Sequence, residues 1–236
     1  MDLTIIVPLY NEEQLVPQVI SKLLNLKLPE FVNKREIIVV DDASSDGSYQ
    51  VVEKIAARHE QIHLLRHEVN QGKGAAVHTA IAAAKGNVFL IQDADMELDP
   101  ADIPAMLTAM HKLKVQLVNG SRYMPGVIRP LSSYRRFMAN RLFTLLTSIF
   151  INVRITDMAC GYKLIHKDLL DQIQLKEKRF GIEAELIIKA MRIRRNNIAE
   201  VPVQYFPRNE GEGKKLRTSD GIKILWIIFK YGLWDK

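Results

Sequence analysis

Short apolar runs alternate with amphipathic segments through the first half of the chain, and this alternation restricts the fold more than any other feature. Residues 3–9, 36–40, 62–66, 88–92 and 115–119 read as strands, and runs such as Val88-Phe89-Leu90-Ile91 are apolar without alternation, as in strands covered on both faces. Pro8 must lie at the end of the first strand, because it has no N–H to donate to a ladder. Helices are expected between them: from Tyr10-Asn11-Glu12-Glu13 to about Leu26 with Asn11 as cap, near residues 48–59, from the Asn70–Gly74 turn to Ala84, and from about Pro100 to Leu113 behind an Asp99 cap. Such an order predicts an α/β domain with a mostly parallel, doubly wound central sheet and helices on both faces. Ligands bind such sheets beyond the carboxyl ends of the strands. The polar clusters after the first, second and fourth strands all fall there.

The fourth strand ends in Gln92-Asp93-Ala94-Asp95-Met96-Glu97. At extended spacing, Asp93, Asp95 and Glu97 lie on one side and converge. Like charges brought together in this way call for a cation, and an all-oxygen donor set favours Mg²⁺ or Mn²⁺ over Zn²⁺. An EF-hand is excluded, since Leu98 stands where its glycine is needed and Pro104 where its last glutamate is needed. Helix capping accounts for one acid, Asp99, but not for three more.

Two nucleotide motifs fail inspection. Gly72-Lys73-Gly74 is not a phosphate-binding P-loop, because position 67 is His and no Ser or Thr follows the lysine. Nor is it a dinucleotide fingerprint, since position 77 is Val. The glycines are therefore expected to make a tight turn with close backbone packing. Asp41-Asp42 either meets a base or ribose at the sheet edge or, with Ser44, closes an Asx-type turn.

The chain has 236 residues, 47% hydrophobic and 25% charged, enough for one large α/β domain with a full core. Its single cysteine, Cys160, excludes an internal disulfide and fits a reducing compartment. The N-terminus enters a strand with no basic leader, so no signal peptide is expected, and no apolar run approaches the roughly 20 residues of a membrane span. The net charge of +6 divides unevenly: residues 1–121 carry −5 and residues 122–236 carry +11. The acidic half suits a cation; the basic half suits phosphates, anionic headgroups or nucleic acid, or is a solvated face. Nucleic acid is not an expected partner, for lack of aromatic-interleaved strands or a recognisable module.

Beyond Arg122 the pattern changes. Residues 134–153 form an amphipathic helical stretch with Arg135, Arg136 and Arg141 beside Phe137, Leu142 and Phe143. A helix over 181–195, a strand over 200–206 and a glycine- and lysine-rich loop over 211–217 follow. The segment 221–234 mixes Trp226, Tyr231 and Trp234 with Lys223 and Lys230, as helices lying in a membrane interface do. The alternative is a helix packed on the sheet or on another subunit, but the tryptophans and Tyr231 beside lysines favour the membrane surface. One domain over 1–217, with a nucleotide half (1–121) and an acceptor half (122–217), is expected to precede a C-terminal amphipathic helix over 218–236.

Val7-Pro8-Leu9-Tyr10-Asn11-Glu12, Val40-Asp41-Asp42-Ala43-Ser44-Ser45-Asp46-Gly47, Asn70-Gln71-Gly72-Lys73-Gly74 and Asp93-Ala94-Asp95 resemble, in order, the landmarks of family 2 glycosyltransferases. Gly120-Ser121-Arg122, the run Thr156–Lys163, Phe180–Glu185 and Glu200-Val201-Pro202-Val203 are similar to the polyprenyl-phosphate branch, that of the dolichol-phosphate mannose synthases and their bacterial relatives. The resemblance covers nearly the whole chain. It implies the single-domain, nucleotide-sugar-binding (GT-A type) fold with a metal-binding Asp-x-Asp.

Carried over by position, the resemblance implies that Pro8, Tyr10, Glu12, Val40 and Asp42 surround the nucleotide base and ribose. Asp93, Ala94 and Asp95 would contact the diphosphate and a Mg²⁺ or Mn²⁺ ion, with Glu97 where the synthases have a metal-binding Gln. Arg122 would face the reacting phosphates, and Arg208 and Lys214 would close over the donor. Glu97 adds a negative charge, and Gly213 replaces the Ser that precedes the matching lysine, so Lys215 rivals Lys214.

The implied reaction is inverting transfer of a hexose from a GDP- or UDP-sugar to a polyprenyl monophosphate. An anionic acceptor needs no base, only cationic guides, for which Arg122, Arg135 and Arg136 are available. Asp157 would orient an arginine or a base. The expected location is the cytoplasmic face of a membrane, held peripherally, with a homo-oligomer or a membrane partner subunit open. Two alternatives stand: a family 2 transferase acting on a glycan or lipid hydroxyl, for which Asp157 would be the base, and a module that binds a nucleotide-sugar or anionic lipid without turnover.

Overall fold

A computed structural model of the chain describes residues 1–125, 127, 130, 133–194, 197–208 and 218–234. The predicted alternation is realised as β1 (Asp2–Leu9), α1 (Val16–Asn25), β2 (Lys34–Asp41), α2 (Ser48–Ala56), β3 (Ile62–Arg66), α3 (Lys73–Ala83) and β4 (Val88–Ile91). A 3₁₀ turn (Pro100–Asp102) leads into α4 (Ile103–Leu113), and then come β5 (Leu117–Ser121) and α5 (Tyr134–Ile151). Last are β6 (Lys163–His166), α6 (Lys167–Leu170), α7 (Ile182–Ile193), β7 (Ile198–Pro202) and α8 (Thr218–Phe229), which ends in a π-helical turn, Lys230–Trp234.

Seven strands form one sheet in the order β3-β2-β1-β4-β6-β5-β7. All pairings are parallel except those of β6, which runs antiparallel to both β4 and β5. Side chains of consecutive residues go to opposite faces, so Ile5, Val7, Ile37 and Val39 join a core with α1, α2 and α4, while Ile6, Ile38 and Val40 join one with α3, α5, α7 and α8. Both faces are thereby covered, which is why these strands read as apolar throughout.

The structure corrects several local expectations. Asn11 does not cap a helix from Tyr10: its φ is 49°, and its side chain accepts the Ser45 N–H at 2.8 Å, so the chain turns through Glu12–Leu15 before α1 begins. Residues 93–97 are a turn rather than extended chain, with Met96 at φ 58°, so the turn, and not a strand's period of two, groups Asp93, Asp95 and Glu97. The strand expected over 200–206 ends at Pro202, and only the bridge Leu98–Tyr205 continues it. The sequence reading missed β6, four residues long. Asp99 does cap, accepting the Ala101 N–H at 3.1 Å.

β6 decides where the site is assembled. Because it runs against β4 and β5, its amino end lies at their carboxyl edge, and the stretch 156–162 that precedes it arrives beside the residues following β4 and β5. β7 pairs parallel with β5, Ser121 opposite Pro202, so Val203–Arg208 leaves at that edge as well.

Candidate active site

The turn after β4 sits among charged groups from four other parts of the chain. Asp93 Oδ1 accepts Lys73 Nζ at 2.6 Å, and the same ammonium donates to Glu183 Oε1 of α7 at 2.7 Å. Lys73 is nearly enclosed; burial would lower its pKa, but the charges of Asp93 and Glu183 more than reverse that and hold it protonated. Gly161 packs so closely on Asp93 that a Cβ there would collide with Oδ2. Sequence reasoning treated Lys73 only as part of a glycine turn; its position directly after Gly72 at a helix start carries no sign of a partner in α7.

Arg208 spans the other side of the turn. Its guanidinium donates to both carboxylate oxygens of Glu12, at 3.0 and 3.1 Å, and to Asp95 Oδ2 at 3.1 Å, while its backbone N–H donates to Glu97 Oε1 at 3.1 Å. Burial tends to lower the pKa of Arg208, and the hydrogen bonds to Glu12 and the charge of Asp95 raise it overall. Burial, then the nearby charges of Asp93 and Glu97, push Asp95 up to about 7 against the opposing pull of Arg208. The cluster of Glu12, Asp93, Asp95, Glu97 and Glu183 thus holds five carboxylates against the charges of Lys73 and Arg208, an electron-rich pocket suited to a cation.

Among the described residues no three His, Cys, Asp or Glu side chains are arranged to hold a metal ion. A nucleotide-bound Mg²⁺ does not require three: such ions take one or two carboxylates and complete their shell with phosphate oxygens and water. The donor chemistry fits that mode. Asp95 lies between Asp93 and Glu97 and is paired with Arg208 at 3.1 Å, Asp93 is engaged by Lys73, and Glu97 accepts the Tyr205 hydroxyl at 3.1 Å.

Beyond β5, Arg122 is fixed by Asp157. Nε donates to Oδ2 at 2.6 Å, Nη2 to Oδ1 at 2.9 Å and the Arg122 N–H to Oδ2 at 3.1 Å, with Asn140 of α5 donating to Oδ1 at 3.1 Å. Asp157 is fully buried, which alone would raise its pKa, yet Arg122 holds it below the usual carboxylate range. The loop carrying it is itself tied down. Glu200 of β7 accepts from Thr156 N at 2.8 Å, Asn119 donates to the Asp157 carbonyl at 2.9 Å, and the buried Lys163 ammonium donates to the carbonyls of Met158 and Cys160. On its far side the Arg122 guanidinium lies 5.0 Å from the ring centroid of Tyr205. Glu200, Lys163 and Tyr205 were missed as site residues because their partners lie 44 or more residues away or are backbone carbonyls.

The expected base and ribose contacts divide into two groups. Pro8 and Tyr10 are partly accessible at the end of β1. Val40 is wholly buried, and Asp42 serves the fold: Oδ1 accepts His67 Nδ1 at 2.7 Å and Gln71 N at 2.8 Å, and Oδ2 accepts Gly72 N at 2.7 Å. The Asx-type contact comes from Asp41, whose Oδ1 accepts Ser44 N at 3.3 Å. The glycine turn is tight, as expected: Gly72 has φ +101° and a Cβ there would lie 2.6 Å from the Lys178 carbonyl oxygen. Ala94 is buried in the turn, and Arg135 and Arg136 are exposed in the first turn of α5, where Asn140 reaches Asp157. Lys214 and Lys215 lie outside the described residues.

The doubly wound sheet is of the GT-A type, a fold shared with the glucosyl-3-phosphoglycerate synthase of Mycobacterium tuberculosis at a TM-score of 0.72, 18% identity and coverage of 100% of this chain and 81% of that one. The model of glycosyl transferase family 2 matches residues 4–174, and the chain belongs to that family. Relatives include a dolichyl-phosphate beta-glucosyltransferase of Trichomonas vaginalis, 29% identical over 99% of this chain and 74% of the relative. A dolichol-phosphate mannosyltransferase of Saccharomyces cerevisiae is 28% identical over 98% and 89%. An undecaprenyl-phosphate mannosyltransferase of Micrococcus luteus is 29% identical over 89% and 85%.

Proposed function

We propose that the protein transfers a hexose from a GDP-mannose- or UDP-glucose-type donor to a polyprenyl monophosphate, with inversion at the anomeric carbon. The observation that carries this reading is the Arg122–Asp157 pair. A hydroxyl acceptor must surrender a proton, and Asp157, the natural base, is bound in two-pronged fashion by Arg122 and held at low pKa. A phosphate monoester arrives already anionic. Its oxygen bonds to the anomeric carbon as the bond to the diphosphate breaks, and the leaving nucleoside diphosphate keeps the electron pair. No proton needs to move. The relatives named for dolichyl and undecaprenyl phosphate support the same acceptor class.

The chain's own residues supply position and charge. Arg122, held rigid by Asp157, presents a cation to phosphate oxygens at the end of β5; Arg135 and Arg136 add positive charge in the first turn of α5. Arg208, which now spans Glu12 and Asp95, is placed to exchange those carboxylates for a diphosphate. A divalent cation would be held by Asp95, with Asp93 and Glu97 beside it, and would neutralise charge on the leaving diphosphate. The M. tuberculosis synthase has been solved with Mn²⁺ and UDP, which supports that assignment.

Peripheral attachment to the cytoplasmic face of a membrane completes the reading. Among the described residues no helix is long and apolar enough to cross a bilayer. On α5, Met138, Leu142, Leu145 and Ile149 form an exposed stripe at helical spacing, and α8 with its terminal turn adds Trp226 and Trp234, 60% and 64% exposed. Apolar side chains in such number face a partner or a bilayer rather than water.

The test is transfer from a panel of GDP- and UDP-sugars to a short-chain polyprenyl phosphate with Mg²⁺ or Mn²⁺. A lipid-linked product with one donor, lost with EDTA and in Asp95→Ala, is expected. Slow donor hydrolysis with no product on the phosphate would overturn the acceptor assignment.

A further inference from the structure

The loop of residues 176–181 and α8 enclose a groove of about 420 Å³. Its floor is apolar. Gly181 allows Ile227 to approach so closely that a Cβ would collide with Ile227 Cδ1, and Ile224 is buried beside it. The walls are basic: Lys176, Lys178, Arg179, Lys223 and Lys230 stand against Glu177 and Asp220, an excess of three positive charges. Lys230 is matched by Glu177 at 3.0 Å, and Lys223 sits 3.9 Å from Asp220. Lys178 and Arg179 are exposed and have no carboxylate partner among the described residues.

Two cations with no counter-ion among the described residues, above an aliphatic floor, match a phosphodiester joined to hydrocarbon. Guanidinium and ammonium donors bind the oxyanion, and methylenes rest on isoleucine. The groove also has a membrane-like rim, since Trp226 is one of its walls, its ring centroid 5.8 Å from that of Trp234. A tryptophan pair beside lysines marks the headgroup level of a bilayer.

We propose that this groove is a binding site for the phosphate headgroup of an anionic bilayer lipid, separate from the acceptor phosphate at Arg122. The inference rests on the peripheral-membrane reading above and adds to it a defined contact. One lipid seated between the 176–181 loop and α8 fixes the rotation of the enzyme on the surface, because the Lys178 carbonyl also accepts the Ala75 N–H at 3.0 Å and ties this loop to the start of α3.

Sedimentation with phosphatidylcholine vesicles and with vesicles containing phosphatidylglycerol tests it, using the whole protein, the double variant K178E/R179E and a control, K54E/R58E. The control reverses two exposed charges, Lys54 on α2 and Arg58 just beyond its end, and α2 packs on the opposite face of the sheet. The unaltered protein is expected to prefer phosphatidylglycerol, K178E/R179E to lose roughly tenfold or more of that affinity with an unchanged Tm, and K54E/R58E to retain it. Wild-type affinity in K178E/R179E, with binding otherwise intact, would overturn the groove while leaving membrane attachment standing. An equal loss in K54E/R58E would show diffuse charge attraction instead of a site. Failure of the unaltered protein to bind either vesicle would remove the membrane reading and this proposal together.

Discussion

Arg122 and Asp157 face each other through two hydrogen bonds of 2.6 and 2.9 Å, with the carboxylate fully buried and also accepting from Asn140. A guanidinium held this way has one orientation, and it is presented at the carboxyl edge of β5.

Asp157→Asn is expected to leave the partly buried Arg122 without its counter-charge, costing roughly 3–5 kcal/mol of stability and at least tenfold in kcat. The pH dependence follows from the lowered pKa of Asp157. The stability that Asp157 contributes is fully present above its unfolded pKa, near 3.9, and is lost as pH falls through the lower folded value. Urea unfolding of both proteins across the acid range should show the gap between them closing there. A gap that stays constant to the lowest pH would mean that the charge of Asp157 is not what Arg122 needs.

Lys73→Met is expected to destabilise by a similar amount, roughly 3–5 kcal/mol, because Asp93 and Glu183 both lose their shared cation. Adding Glu183→Gln should recover part of that loss, since one of the two stranded charges is gone. Thermal unfolding of the single and double variants measures the coupling.

Tyr205 separates two roles. Tyr205→Phe keeps the ring beside Arg122 and removes the hydroxyl that donates to Glu97, and should hold kcat/KM to within about threefold. Tyr205→Leu removes both and should lower it by about tenfold, chiefly in kcat, as Arg122 loses its stacking partner. Equal effects of the two would assign the role to the hydroxyl instead.

Gly72→Ala and Gly74→Ala should each destabilise by more than about 1 kcal/mol. The first forces a Cβ into a φ of +101° and against the Lys178 carbonyl; the second drives one into the Glu177 carbonyl. Chemical denaturation reads both, and a neutral Gly74→Ala would show that the 176–181 loop yields readily.

The fold was readable where a local pattern decides it. Unbroken apolar runs in β1, β2 and β4 reported burial on both faces, and Asp99 before Pro100 reported its own cap. β6 was not readable: Lys163-Leu164-Ile165-His166 is too short for periodicity, and its direction depends on two neighbours that the sequence does not name. Asn11 looked like a cap because nothing in its surroundings reveals that Ser45, 34 residues later, donates to it.

The sequence by itself determined which chemistry is present. Acids follow β4, an arginine follows β5, basic and aromatic residues fill the C-terminal segment, and their order marks the family. Only the tertiary structure decided how the charges are matched. Lys73 between Asp93 and Glu183, Arg208 across Glu12 and Asp95, and Asp157 under Arg122 join residues 20, 110, 196, 113 and 35 positions apart. Charge compensation in a buried site is set by distances of about 3 Å, and sequence separation carries no information about which distant groups the sheet brings within that reach.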